Sequence, residues 1–373
     1  MNSSKKVLIS FLGNINYDTR CKNLFDSLSA NNFDVEFIGF DWLTKGFVEE
    51  LGKVSIFKLK KGFLSFTFYL KFIWHLKIKL ITTRASIIFA EDIYTLPFAV
   101  IFGKLKRAKI FYDSRELFGY LAGLKEKKFK QAFWKWIEKF FIRKVDYVMV
   151  TGRMDGEFLT KEYGIKNLIL LRNVPRYYKP GKKIDLYSHL QIEKQKKIIL
   201  YQGVLVKGRG IEKVFDVLKD LPNHIFLIAG GGEYEGHYKK LADEMNLNGQ
   251  VYFIGKLTQE ELPKVTASTH IGIALIENLS VSYYYALPNK LFEYIMADVP
   301  VIVSNLPQMI EIIEKYDVGY AVEFGNNAEL ISAIKKLTDD ENLYESKKQN
   351  CRIASQELNW EKEVTALVQT LTS

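Results

Sequence analysis

Short apolar runs alternate with amphipathic stretches along almost the whole chain. Residues 7–12 (Val-Leu-Ile-Ser-Phe-Leu) read as a buried strand, Gly13-Asn14 as its turn, and residues from about 18 to 30 as a helix. A second strand is expected over 35–40, a helical stretch around 66–76, a strand over 86–90 and a helix from about 94 to 105. Residues 109–113 form a strand ending in a turn, 125–144 a long helix, and 147–150 and 168–171 two further strands. Strands that alternate with helices in this way predict a parallel, doubly wound sheet, with ligands held at the carboxyl ends of the strands.

The alternation breaks near residues 175–195. Arg176-Tyr177-Tyr178-Lys179-Pro180-Gly181 runs into polar, lysine-rich sequence and reads as an interdomain linker. It then restarts: strand 198–202, helix 211–218, strand 225–229, helix 238–245, strands 251–254 and 271–275, a helix starting near Pro288, strand 301–304 and a closing helix from about 358 to 371. The expected division is an N-terminal domain over 1–178, a second over 179–355 and a last segment over 356–373. A chain of 373 residues gives each domain enough length for its own core.

Composition narrows the classes. Nearly half the residues (48%) are apolar, which excludes a disordered chain. Cys21 and Cys351 lie far apart, which fits a reducing cytosol and no disulfide framework. His75, His189, His224, His237 and His270 form no zinc spacing, and no D-x-D metal motif stands out. Lys5-Lys6 before residues 7–12 could mimic a signal peptide, but the apolar run is short, so a first strand is the better reading. No uninterrupted apolar run approaches the ~20 residues that span a bilayer. Residues 87–102 come closest and are broken by Glu91 and Asp92.

Charge is uneven. Residues 1–180 carry a net +15 and the remainder −5, together the +10 of the whole chain. The basic half implies an anionic partner, whether a membrane face, a phospholipid-linked acceptor or nucleic acid. The helix over 125–144 sets Phe129, Phe133, Trp136, Ile137 and Phe140 on one face amid eight basic residues. That face can lie on an anionic bilayer or pack on its own sheet with the lysines in solvent. The stretch from Phe63 to Trp74 poses the same choice.

The densest chemistry lies in Pro288-Asn289-Lys290-Leu291-Phe292-Glu293-Tyr294, followed by Asp298-Val299-Pro300 and an apolar strand. Helix positions three apart share a face, so Lys290 and Glu293 can meet one ligand near the positive helix end. Cation and helix N-terminus suit a phosphate, and the carboxylate suits a ribose diol. The plainer alternative is a surface salt bridge.

This stretch resembles the C-terminal signature of retaining GT-B glycosyltransferases of family 4 (the group 1 glycosyltransferases), Pro-x-Lys-x-x-Glu followed by Pro-Val, and the likeness extends over nearly the whole chain. The resemblance implies two Rossmann-like doubly wound domains facing across a cleft. The first would bind the acceptor and the second the nucleotide sugar, with the closing helix, which begins near Asn359-Trp360, crossing back to the first. It places Gly13, Gly203, Arg209, Gly231, Glu233, Asn289, Lys290 and Glu293 on the donor side, with Arg209 and Lys290 as the pyrophosphate clamp and Lys207 as a spare. Asp18, Arg20, Asp113 and Glu116 fall on the acceptor side. Tyr112-Asp113-Ser114-Arg115-Glu116 resembles the family's Y-D-x-H-E turn, with Arg115 in place of the histidine that approaches the sugar. Arg115 is carried as a catalytic candidate suited to a phosphate or acidic acceptor, or else as an exposed charge at a strand-end turn. The family's first glutamate, eight positions before Glu293, is Tyr285, and Glu277 could compensate.

The implied function is NDP-sugar-dependent, metal-independent transfer of a hexose to a glycan or lipid-linked saccharide, as in surface polysaccharide or glycolipid assembly. No cofactor beyond the nucleoside diphosphate sugar is expected. The expected location is cytoplasmic, peripheral on the inner face of the membrane and in contact with anionic lipid. Two alternatives stand beside it. A sugar-nucleotide 2-epimerase shares the fold but needs more acid/base groups than this histidine-poor chain offers. A non-enzymatic basic membrane- or nucleic-acid-binding protein would use the N-terminal half, although no RNA-binding signature is present.

Overall fold

A computed structural model describes residues 5–41, 53–59, 65–181 and 183–372; Phe63 and Leu64 lie outside them. The chain divides into two units, residues 1–172 with 363–373, and residues 173–362.

The first unit is built on strands β1 (Lys6–Ser10), β2 (Asp34–Asp41), β3 (Val54–Lys58), β4 (Ile87–Ala90), β5 (Lys109–Ser114), β6 (Tyr147–Val150) and β7 (Leu168–Leu170). They pair in the order β3-β2-β1-β4-β5-β6-β7, parallel throughout. Val7 is in register with Val35 on one side and Ile87 on the other, and all three are buried. Continuous Val/Ile/Phe runs belong to such strands because helices cover both faces. The chain order reverses between β1 and β4, where loops leave neighbouring strand ends in opposite directions and open a crevice.

The second unit holds β8 (Lys197–Gln202), β9 (His224–Ala229), β10 (Val251–Gly255), β11 (Ile271–Ala274), β12 (Val301–Ser304) and β13 (Gly319–Val322), ordered β10-β9-β8-β11-β12-β13 and again parallel. Its switch point lies between β8 and β11. Phe215, Phe226 and Tyr238 fill the core on one side of this sheet.

The edge strands β3 and β13 and the helices Arg153–Tyr163, Pro307–Tyr316, Asn327–Asp339 and Glu341–Ser355 add to the elements expected from sequence. Glu341–Ser355 is polar along most of its length and buries only Lys347, Cys351, Ala354 and Ser355, so its apolar period is faint.

The aromatic helix bears on the choice its sequence leaves open. It spans Lys128–Ile142, and the side turned inward carries the buried Glu138 and Ile142, with Trp134 half-buried. Phe129, Phe133, Trp136 and Phe140 are exposed. That stripe is not packed on the sheet.

The last helix, Trp360–Thr372, starts in the second unit and ends in the first. Trp360 is fully buried and its amide donates to the Pro175 carbonyl. Three residues on, Glu363 takes the Arg172 guanidinium at 2.8 Å and the Arg172 amide at 3.0 Å.

Candidate functional site

In the second unit the carboxyl ends of β8 and β9 pass so close that their loops need glycine. A Cβ on Gly230 would lie 1.9 Å from the Gly203 carbonyl oxygen. The Leu205 amide then donates to the Gly231 carbonyl at 3.2 Å, and the Tyr234 amide to the Leu205 carbonyl at 3.1 Å. At Gly210, φ is +72° and a Cβ would lie 2.3 Å from that of Leu275, so this turn also fits only glycine. The turn carries Arg209 to the switch point.

The helix Asn289–Met296 starts beside that point. Pro288 is its N-cap and supplies no side-chain cap; the Leu291 amide donates to the Pro288 carbonyl at 3.0 Å, which leaves the amides of Asn289 and Lys290 without a cap. Leu291, Phe292, Tyr294, Ile295 and Met296 are buried, and that pattern fixes which face is left for Lys290 and Glu293. Tyr294 locks the helix to the sheet. Its hydroxyl accepts from the Gln202 amide at 3.1 Å and lies 3.1 and 3.2 Å from the carbonyls of Leu200 and Ile273.

Lys290 arches back over the end of β8. Its Nζ sits 3.5 Å from the centroid of the Tyr201 ring. Among the described residues it forms no ion pair, so the surface salt bridge to Glu293 is not what the structure contains. Burial and the neighbouring Arg209 guanidinium hold the Lys290 ammonium well below the ordinary lysine range, with Glu293 opposing. The Arg209 guanidinium lies over Tyr283, 4.9 Å from the ring centroid. Glu293 accepts a hydrogen bond from Gln202 Nε2, and Gln202 Oε1 in turn accepts from Thr266 Oγ1 at 2.8 Å. Burial pushes the Glu293 carboxyl up, while Gln202 and Lys290 pull it down.

Two cations thus converge above an open helix start, with one carboxylate a turn further on. Such repulsion is relieved by an anion. Gly203 borders this place, where a Cβ would lie 3.4 Å from Lys290 Nζ, whereas Gly231 faces Lys256 and Glu235. Glu233 is exposed in the turn before Glu235–Glu244, and Asn289 is exposed as first residue of its helix. Tyr285 caps the end of the short helix Val281–Tyr284, and its carbonyl accepts from Gln308. Glu277 anchors its loop through its amide, which donates to Gly208 at 3.0 Å. Tyr201, Gln202, Thr266 and Tyr283 were not among the sequence candidates. Gln202 carries the one available signal, a polar residue ending the apolar run of β8.

The other candidates lie at the switch point of the first unit. Gly13 is buried, and a Cβ there would lie 2.1 Å from the Phe11 ring. Arg20, 2% exposed, grips Asp113 at 2.5 and 2.9 Å and also reaches the Leu171 carbonyl. Asp18 caps the helix Thr19–Ala30 through the Cys21 amide and receives Arg115 at 2.7 Å. Arg115 also meets Glu91 at 2.7 Å and Asp113 at 3.3 Å, and lies over the Phe11 ring. It is therefore no exposed charge. Three carboxylates already balance the two arginines, in contrast with the second unit, where Glu293 alone faces Lys290 and Arg209. Glu116 is exposed. Glu91 is fully buried with one carboxyl oxygen lacking a protein partner; burial and then the Asp113 charge push it up to about 7 against the pull of Arg115.

Residues 185–354 match the family model described as glycosyl transferases group 1. A relative in Methanocaldococcus jannaschii, an uncharacterized glycosyltransferase, is 24% identical over 71% of this chain and 68% of its own length. Sucrose-phosphate synthase from Thermosynechococcus elongatus superposes with a TM-score of 0.80 at 18% identity, covering 99% of this chain and 98% of that one. Anabaena HepE in complex with UDP-glucose gives 0.74 at 14% identity, covering 98% and 99%. These likenesses fix the fold class as GT-B, a pair of Rossmann-like units.

Proposed function

We propose that this chain is a retaining, metal-independent glycosyltransferase moving a hexose from a nucleoside diphosphate sugar to a glycan or lipid-linked saccharide in surface polysaccharide or glycolipid assembly. The observation that carries the reading is the pair Lys290 and Arg209 at the start of Asn289–Met296, two cations that the single carboxylate of Glu293, one turn on, balances only in part. A diphosphate relieves that repulsion, the helix amides extend the positive field, and Glu293 presents a carboxylate to a ribose diol. Gln202 and Thr266 hold Glu293 in place.

As the bond from sugar to diphosphate breaks, negative charge accumulates on the leaving phosphate. Lys290, Arg209 and the helix start meet it there without reorganising, which is the electrostatic form of transition-state stabilisation. Arg115, already held by carboxylates, serves on this reading to orient Asp18 and Glu91 toward the acceptor. The family match over residues 185–354 and the signature at 288–303 support this assignment, as does the UDP-glucose bound by the structurally similar HepE.

The test is a thermal-shift screen against UDP, GDP, ADP, CMP and their sugars, with Glu293→Ala beside the wild type. One nucleotide should stabilise the wild type and not the variant. Indifference to every nucleotide would remove the donor site. With a responsive donor in hand, turnover in EDTA and the anomeric configuration of the product by NMR test the metal-independent and retaining parts.

A further inference from the structure

Three helices of the first unit lie side by side on its sheet. Ser65–Thr82 packs on Leu96–Lys106, and Leu96–Lys106 packs on Lys128–Ile142. Aromatic rings stitch the layer together: Phe72 meets Phe98 at 6.5 Å, and Tyr94 meets both Tyr69 at 6.4 Å and Trp134 at 5.0 Å. Each helix spends one line of side chains inward, as with Phe68, Phe72, Leu76 and Leu80 of the first. What remains outward is unusual for a protein surface. Trp74, Leu105, Phe129, Phe133, Trp136 and Phe140 are all exposed, Phe129 by 94% and Leu105 by 76%. More than half of the exposed large apolar side chains among the described residues sit on these three helices.

The charge on the same layer has one sign. The three helices contain nine lysines and a single acid, Glu138, which is fully buried beneath Tyr112 and Tyr163. Lys71, Lys77, Lys128, Lys130 and Lys139 are exposed and have no acidic partner among the described residues. Helices ~20 Å long packed ~9 Å apart present on the order of 500 Å², near the upper end for an exposed patch on a monomer.

We infer that this layer is a docking face for an anionic phospholipid bilayer, with Trp74, Phe129, Phe133 and Trp136 entering the headgroup region and the lysines meeting lipid phosphates. Lys79 and Lys104 are paired with Glu36 and Asp146 of neighbouring elements, but aromatic rings among lysines, on helices whose one acid is buried, match the chemistry of that interface. A second copy of this chain fits worse, because a twofold pairing would set the lysine-rich layer against itself. Helices follow strands in this unit, so the start of Lys128–Ile142, with Phe129, lies toward the carboxyl edge of the sheet, where Arg115 and Glu91 sit. Binding at this face does not depend on the transferase reading, and neither fails with the other.

The experiment is flotation of the full chain with vesicles of phosphatidylcholine alone and with 30% phosphatidylglycerol (about a third, enough for a strongly anionic surface). The variants are Phe129→Ser/Phe133→Ser/Trp136→Ser, Lys128→Glu/Lys130→Glu, and Ile353→Ser, whose side chain is exposed in the other unit. The wild type and Ile353→Ser should float only with anionic vesicles, less so in high salt. The two face variants should lose at least about tenfold in partitioning, with unchanged melting temperatures showing that they remain folded. Absence of flotation, or flotation indifferent to both face variants, overturns the inference. So does a concentration-dependent dimer by sedimentation that the aromatic variant abolishes, since the face would then belong to a second copy.

Discussion

At the scale of single residues, the pairing of Lys290 with Glu293 on one helix was legible, because there spacing alone decides geometry. Lys290 and Glu293 are three apart on a helix, and three apart means one face. Their supports were not legible, because Tyr201, Gln202, Thr266 and Tyr283 come from strands and helices remote in sequence. Lys290 yields a sharp prediction. Its ammonium is held below the ordinary range by burial and Arg209, and a bound diphosphate pulls that pKa back up. Nucleotide binding should therefore take up protons, and affinity should fall as pH rises. Calorimetry in buffers of different ionisation enthalpy would detect the uptake, and Lys290→Met should abolish it while weakening binding by about 2 kcal/mol, the size of a charge-assisted contact. Glu138 carries a second prediction. Burial pushes its carboxyl up to about 7 against hydrogen bonds from Tyr112 and Tyr163. A raised carboxyl pKa means the folded state holds the proton more tightly, so this contribution is present below the ordinary carboxyl pKa and is lost as pH climbs toward 7. Urea titrations of wild type and Glu138→Gln should show the variant's stability flatter between pH 4.5 and 7 by about 2–3 kcal/mol, since each tenfold gain in proton affinity is worth ~1.4 kcal/mol.

Among elements, the strands and most helices followed from periodicity, since β strands buried on both faces are short apolar runs. The misses have physical reasons. Glu341–Ser355 buries a lysine, a cysteine and small residues, so hydropathy cannot outline it. In Lys128–Ile142 the aromatic stripe is the stronger apolar signal, yet the inward side is set by Glu138, whose tyrosine partners lie 26 and 25 residues away in the chain. Sequence shows two faces and not which one the sheet takes. For the helix Asn289–Met296 the decisive element contact is the Tyr294 hydroxyl, placed among backbone groups of β8 and β11. Tyr294→Phe should cost about 1–3 kcal/mol by leaving the Gln202 amide without its buried partner. Denaturant unfolding measures that loss, and nucleotide affinity should fall with it as the helix loses its fixed seat.

Over the whole molecule, the two-unit plan was legible from a single break in the alternation, and the GT-B class was legible from the signature and the closing helix. A nucleotide that engages only the second unit should raise the unfolding midpoint of that unit selectively. Pulse proteolysis at ~100 Kd of nucleotide should reveal about 2.7 kcal/mol of extra protection in fragments from residues 173–362. The path of the chain has a separate consequence. Residues 173–362 are an insertion: the chain leaves the first unit at Arg172 and re-enters it at Glu363, and these two residues are bonded to each other. On the ribosome the first unit must wait for its last helix, which emerges only after the inserted unit has been made. The later-synthesised unit can therefore complete its fold first. Joined at their nearby ends Pro175 and Trp360, its residues should also tolerate circular permutation.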